Sequence, residues 1–182
     1  MMPREEELRV LDSHISNPNL KKHMIAVSAI MRKLAQNLGE DEELWEAVGL
    51  LHDVDYEKVG DMSRHGLLSA EMLKDSLPEE GLHAVKAHNE ITGFKAEKPI
   101  DLALIASDSA SGLAIATALM MPHKTLMEVK VSSIKSKFND RSFARNVDRN
   151  RIMYCTKLNI TLEDFLTISL NALLSVREEL GL

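Results

Sequence analysis

Apolar residues recur at intervals of three and four along almost the whole 182-residue chain, and nowhere does a long period-two alternation appear. That spacing gives a helix one apolar face and gives a strand none, so it predicts an all-α chain. The apolar stock agrees. Aromatics are only 4% while Met numbers 10, and an aliphatic core of Leu, Ile, Val, Ala and Met suits helix packing better than strand pairing.

The punctuation divides this pattern into helices. Residues 5–15 carry Leu8, Leu11 and Ile15 on one face and end at Asn17-Pro18; a second helix opens at Pro18 or Asn19 and stops at Gly39. A third spans about 42–54. Residues 55–64 form a polar connection, a fourth helix follows over 65–76, and a fifth starts at Pro78 and ends near His88 or Asn89. Pro99 opens a long apolar helix to about Met121. The segment beyond reads as two shorter helices broken near Asn139-Asp140, with 129–134 β-branched enough for an extended stretch. Thr161 and Asp164 cap a last helix over 162–180. With no repeat, low-complexity tract or linker, the expectation is one helical bundle over 1–182, with a chemical core at 20–115 and a C-terminal helical extension at 123–182.

Several function classes are disfavoured. No run approaches the ~18 uninterrupted apolar residues of a membrane span, and the acidic N-terminal stretch lacks the pattern of a secretory signal. Cys155 is the only cysteine, which favours a reducing compartment, so a cytoplasmic location is expected. Net charge is −6, but residues 124–157 carry a local balance of +6. An acidic chain with one basic segment suits a small phosphorylated partner better than sequence-specific nucleic acid. A solvated face laced with i,i+4 ion pairs explains the same segment.

The informative residues stand where Leu or Ile would be expected. His23 shares a stripe with Val27, Ile30 and Leu34; His52 shares one with Trp45, Val48 and Gly49, with Asp53 beside it. Asp108 faces inward from a run that is otherwise almost wholly apolar. A buried carboxylate costs several kcal/mol unless it is paired, hydrogen-bonded or metal-bound. Singly, each has a plain explanation, as a hydrogen-bonded core histidine or a partner for a buried cation. Together they supply the imidazole and carboxylate set favoured by divalent Mn, Fe, Co, Ni or Zn.

His23, then Leu50-Leu51-His52-Asp53, then Asp108 resembles the H…HD…D signature of the HD superfamily of metal-dependent phosphohydrolases. Arg64-His65-Gly66 with Ser69-Ala70-Glu71, and Ala87-His88-Asn89-Glu90, resemble the two additional histidines of its dinuclear members. The stretches 52–58, 64–70 and 108–112 are similar to a small prokaryotic subgroup in which a basic segment like 135–149 also recurs. The resemblance covers about residues 20–115 and places all six positions on helices.

The resemblance implies one or two divalent ions (Mn, Fe, Co, Ni, Mg or Zn). His23, His52, Asp53 and Asp108 would hold the first, His65 and His88 the second, and Asp53 would bridge. The implied activity is hydrolysis of a phosphate ester, a nucleotide or related small metabolite, by metal-activated water, with His52 and Asp53 at its centre. Lys58, Arg64, Arg141, Arg145 and Arg149 are candidate phosphate holders, the last three forming one ridge on a continuous helix. An Arg145–Asp148 pair with a solvent-facing Arg149 is the plainer reading. Asp55, two positions after the His-Asp pair, has no implied role, and Glu57 and Glu90 are candidates for proton transfer or for supporting a ligand. His14, His83 and His123 read as surface residues and Cys155 as core. A metal-bound sensing or scaffold domain with little turnover and a di-iron oxygenase are the alternatives, and association as a homodimer stays open.

Overall fold

The computed structural model describes residues 2–182. Among them are ten α-helices and no strand: α1 (Arg4–His14), α2 (Pro18–Leu38), α3 (Glu42–Leu51), α4 (Leu67–Met72), α5 (Glu79–Ala87), α6 (Pro99–Leu119), α7 (Val131–Asn139), α8 (Arg149–Ile152), α9 (Leu162–Ser175) and α10 (Arg177–Leu180). Short 3-10 turns lie at Met62–Arg64, Glu90–Thr92, Leu126–Glu128 and Met153–Leu158.

Helix starts follow local chemistry. The Asn17 side chain accepts from Asn19 N at 2.9 Å and Leu20 N at 3.4 Å, with Pro18 in the first position of α2, where a missing N–H leaves no bond unmade. Asp41 caps α3 through Leu44 N at 3.0 Å, and Thr161 caps α9 through Asp164 N at 3.1 Å. In α6 the Asp101 carboxylate reaches back to the N–H groups of Glu97 and Lys98, both at 3.0 Å.

α6 is apolar on every side and is correspondingly central. It packs against α2, α5, α7, α8, α9 and the turn Met153–Leu158. By length and composition it could cross a membrane, but 72% of that stretch is buried inside the protein, as expected of a core helix. α2 lies across both α3 and α6. Gly49 makes its crossing with α3 possible: a Cβ there would stand 2.8 Å from Ser28 Cα and 2.9 Å from Ser28 N. That close approach sets the end of α3 beside the middle of α2.

Several expected boundaries move. α3 ends at Leu51 rather than near residue 54, and residues 52–58 turn, because Asp53 and Asp55 aim their carboxylates at other segments instead of along a helix face. α4 starts at Leu67, not at residue 65, since Gly66 adopts φ +85°. The final helix breaks at Val176. Of the stretch 129–134, Val129 and Lys130 are extended while residues 131–134 are helical, so the extended alternative holds only for its first two residues.

The basic segment shows the largest change. Residues 140–148 form turns and bends between α7 and α8, so Arg141, Arg145 and Arg149 form no ridge. Arg149 is half-buried and turned toward the backbone rather than simply facing solvent. Its guanidinium donates to the carbonyls of Ala144 and Val147 at 2.7 Å and Phe143 at 2.5 Å, with longer contacts to Lys137, Phe138 and Asp140. It thus satisfies backbone oxygens that the interrupted helix leaves open.

Candidate metal centre

The six implied ligands converge, although only His23 and Asp108 stand within helices. His52 is the residue after α3 and Asp53 the next, His65 lies in the turn before α4, and His88 follows α5. The expectation that all six lie on helices is therefore corrected. Helix ends and turns allow side chains from separate elements to face one point, which a single helix face does not.

Each histidine is oriented by its Nδ1. His52 Nδ1 lies 2.9 Å from Gly49 O, His88 Nδ1 2.6 Å from Val85 O, and His65 Nδ1 2.7 Å from Asp55 Oδ1. His23 Nδ1 lies 3.2 Å from the Ser111 hydroxyl, whose own proton goes to Asp108 O at 2.8 Å. All four acceptors draw the ring proton to Nδ1, leaving each Nε2 lone pair directed inward.

The Nε2 atoms of His52, His65 and His88 each lie 3.3 Å from one oxygen, Asp53 Oδ1. His23 Nε2 is 3.2 Å from Asp108 Oδ1 and 3.9 Å from Asp53 Oδ2. The Nε2 atoms of His65 and His88 face each other at 3.1 Å. Two inward lone pairs at that distance, beside a carboxylate, need a positive charge or a proton between them. Buried His52 Nε2 and Asp53 Oδ1 also have no hydrogen-bond partner. Such orphaned atoms cost several kcal/mol unless something satisfies them. The residues therefore fit a cation: ligand atoms of His23, His52 and Asp108 lie within 4.8 Å of one another, as do those of His52, Asp53 and His88. By distance His52 belongs to both groups, so the division of ligands between two ions is less sharp than the resemblance implies.

Electrostatics point the same way. Burial pushes His52 down to about 4, even against the pull of Asp53, so its ring is neutral at pH 7. Burial would raise Asp53, but the facing histidines hold its carboxyl well below the ordinary range. Asp108 is likewise held low against burial, chiefly by His23. Burial opposes charge on His65, yet Asp53 and Asp55 together lift it to about 10. A field that holds a proton so firmly is one that a divalent ion can satisfy in its place.

Asp55 has a clear position. It is fully buried, and besides its bond to His65 its Oδ2 accepts from Gly66 N at 2.9 Å and Ser69 N at 3.0 Å. It fixes both the ring of His65 and the turn that carries it. Gly66 is required at that turn, since a Cβ would stand 2.7 Å from Val85 O and 3.2 Å from His88 Cε1.

The cluster forms the floor of a cleft of about 730 Å³, whose walls include Asn17, Asn19, Tyr56, Glu57, Met62, Asn89 and Arg151. None of Lys58, Arg64, Arg141, Arg145 and Arg149 lines it. Lys58 contacts His14, Arg64 is exposed beside Glu71 at 4.0 Å, and Arg141 and Arg145 border a separate surface depression. Glu57 accepts from Ser16 N at 2.9 Å and Asn17 N at 2.6 Å, tying the cleft rim to the start of α2. Glu90 lies outside the cleft, 3.5 Å from the Tyr154 hydroxyl. His83 is half-buried against Asp101 at 3.1 Å rather than exposed, while Cys155 is buried as expected. Sequence reasoning missed Arg151, which is concealed among the nine basic residues of 124–157 and gains its position only when α8 packs on α6.

An all-helical fold with histidines and aspartates converging in this order defines the class. The HD domain family matches residues 20–110, and the chain belongs to that family. Ribonuclease Y of Lawsonia intracellularis (strain PHE/MN1-00) is similar, 36% identical over 99 residues. That match covers 52% of this chain and 18% of the relative, so the chain corresponds to less than a fifth of that protein's length. No solved structure gives a significant match.

Proposed function

We propose that the protein is a metal-dependent phosphohydrolase acting on a phosphate ester, a nucleotide or a related small phosphorylated metabolite. The observation that carries this reading is the convergence of four Nδ1-anchored histidines on Asp53 and Asp108, with buried His52 Nε2 and Asp53 Oδ1 left unpartnered. In this reading His23, His52, Asp53 and Asp108 would hold one divalent ion, and His65 and His88 would contribute, with Asp53, to a second. When bound, such ions lower the pKa of water and offset charge on phosphoryl oxygens.

The chain's own part is orientation and shape. The carbonyls of Gly49 and Val85 and the carboxylate of Asp55 set three rings before any ligand arrives, so little ordering entropy remains to be lost on binding. A cleft of about 730 Å³ is in the range that encloses a small metabolite. The name of the similar ribonuclease puts phosphodiesters in the same screen as monoesters. The carboxylates lining this cleft and the net charge of −6 favour a small ester over a polynucleotide.

The test is metal analysis of protein purified without chelator, followed by a panel of mono- and diesters with added Mn, Co or Ni. Turnover that depends on metal and disappears in the His52→Ala/Asp53→Ala double variant is expected. Metal-loaded protein without turnover on any phosphate ester would favour the sensing domain instead.

A further inference from the structure

Resting on the phosphohydrolase reading, we infer that Arg151, from outside the family-matched region, is the residue that receives the substrate's phosphate in the cleft. It is the one permanently charged cation among the described residues lining the cleft, where Asp53, Glu57 and Asp108 supply negative charge. A phosphate entering among those carboxylates needs a fixed positive group as well as the metal. The five basic residues suggested by the sequence stand elsewhere.

Arg151 is already positioned for that task. One terminal nitrogen donates to His88 O at 2.9 Å and the other to Asp108 Oδ2 at 2.8 Å, so the side chain bridges both halves of the cluster. A guanidinium carries five N–H groups, and these two bonds leave three uncommitted. The side chain is 20% exposed and opens on the cleft. Anchoring at two points also removes most of the rotamer entropy a free arginine would lose on binding, and the planar fork matches phosphate oxygens. α8, only four residues long, holds the position because Asp148 caps it and Ile152 is buried.

The test compares wild type, Arg151→Gln, Arg151→Lys and an exposed charge control, Lys74→Gln, all loaded with Mn. Inorganic phosphate binding is measured by calorimetry, Mn binding alone by titration, and KM and kcat on whichever ester is turned over. Arg151→Gln should weaken phosphate at least tenfold and raise KM more than it lowers kcat, with Mn stoichiometry kept. Arg151→Lys should recover part of the loss, and Lys74→Gln should match wild type. Unchanged phosphate affinity in Arg151→Gln overturns the inference alone. So does loss of Mn in parallel with phosphate, which would reduce Arg151 to a support for Asp108. Fully Mn-loaded wild type that binds no phosphate and turns over no ester overturns this inference and the phosphohydrolase reading together.

Discussion

Asp55 and His65, ten residues apart, meet through a 2.7 Å contact between Oδ1 and Nδ1, and the second Asp55 oxygen accepts from the backbone of Gly66 and Ser69. One buried carboxylate thus sets the ring of a candidate ligand and the turn that presents it. The Asp55 backbone N–H adds a further link to α4 by donating to the Ser69 hydroxyl at 3.1 Å.

Asp55→Asn should therefore damage both. Whichever way the amide is turned, its NH₂ meets a donor, either a backbone N–H or the protonated Nδ1 of His65. The expected loss is about 1–3 kcal/mol of stability and roughly tenfold or more in metal affinity. Urea denaturation of stripped protein and metal titration read the two separately. Wild-type metal affinity in this variant would remove Asp55 from any role in orienting the site.

Gly66→Ala should be worse than Gly49→Ala. At Gly49 the new methyl meets Ser28 backbone at 2.8 Å, and the better helix propensity of Ala, worth up to about 1 kcal/mol, offsets only part of the overpacking. At Gly66 the methyl meets Val85 O at 2.7 Å and the backbone also sits at φ +85°. Thermal unfolding should rank them wild type, Gly49→Ala, Gly66→Ala, and metal affinity should fall further in the Gly66 variant, which displaces His65 and His88, than in the Gly49 variant, which shifts His52.

Glu7 predicts a pH dependence distant from the centre. It is 3% exposed, and burial, aided by the neighbouring Glu46, raises its pKa from 4.5 to about 7. Between those values the folded chain keeps a proton that the unfolded chain has released. Its contribution is thus fully present below pH 4.5, declines as pH rises toward 7, and is level beyond. Glu7→Gln should remove this decline and stabilise the protein at pH 8 by on the order of 1–2 kcal/mol. Denaturation curves at pH 5 and pH 8 test it; equal gains at both pH values would exclude the titration.

Arg149→Lys should loosen residues 140–148 without touching the centre. A lysine cannot reach the set of carbonyls that the guanidinium gathers. Limited proteolysis should cut this segment faster in the variant than in wild type, with metal content unchanged. Equal cleavage rates would mean that other contacts hold the segment.

The sequence by itself determined the helical class and most helix starts, and its resemblance to the HD superfamily pointed to the residues that would converge. Periodicity of three to four and capping groups such as Asn17, Asp41 and Thr161 act over neighbouring positions, where chain order and spatial order coincide. The tertiary structure alone decided where those helices stop and which cation joins the site. α3 ends early because the Asp53 carboxylate faces histidines 12 and 35 positions away and Asp55 bonds to His65, ten positions on. Arg151 reaches Asp108 across 43 positions, while Arg149, two residues earlier, turns to close its own loop. Charge along the chain cannot distinguish two arginines that packing sends in different directions, because that outcome depends on which carbonyls and carboxylates lie within reach once α8 meets α6.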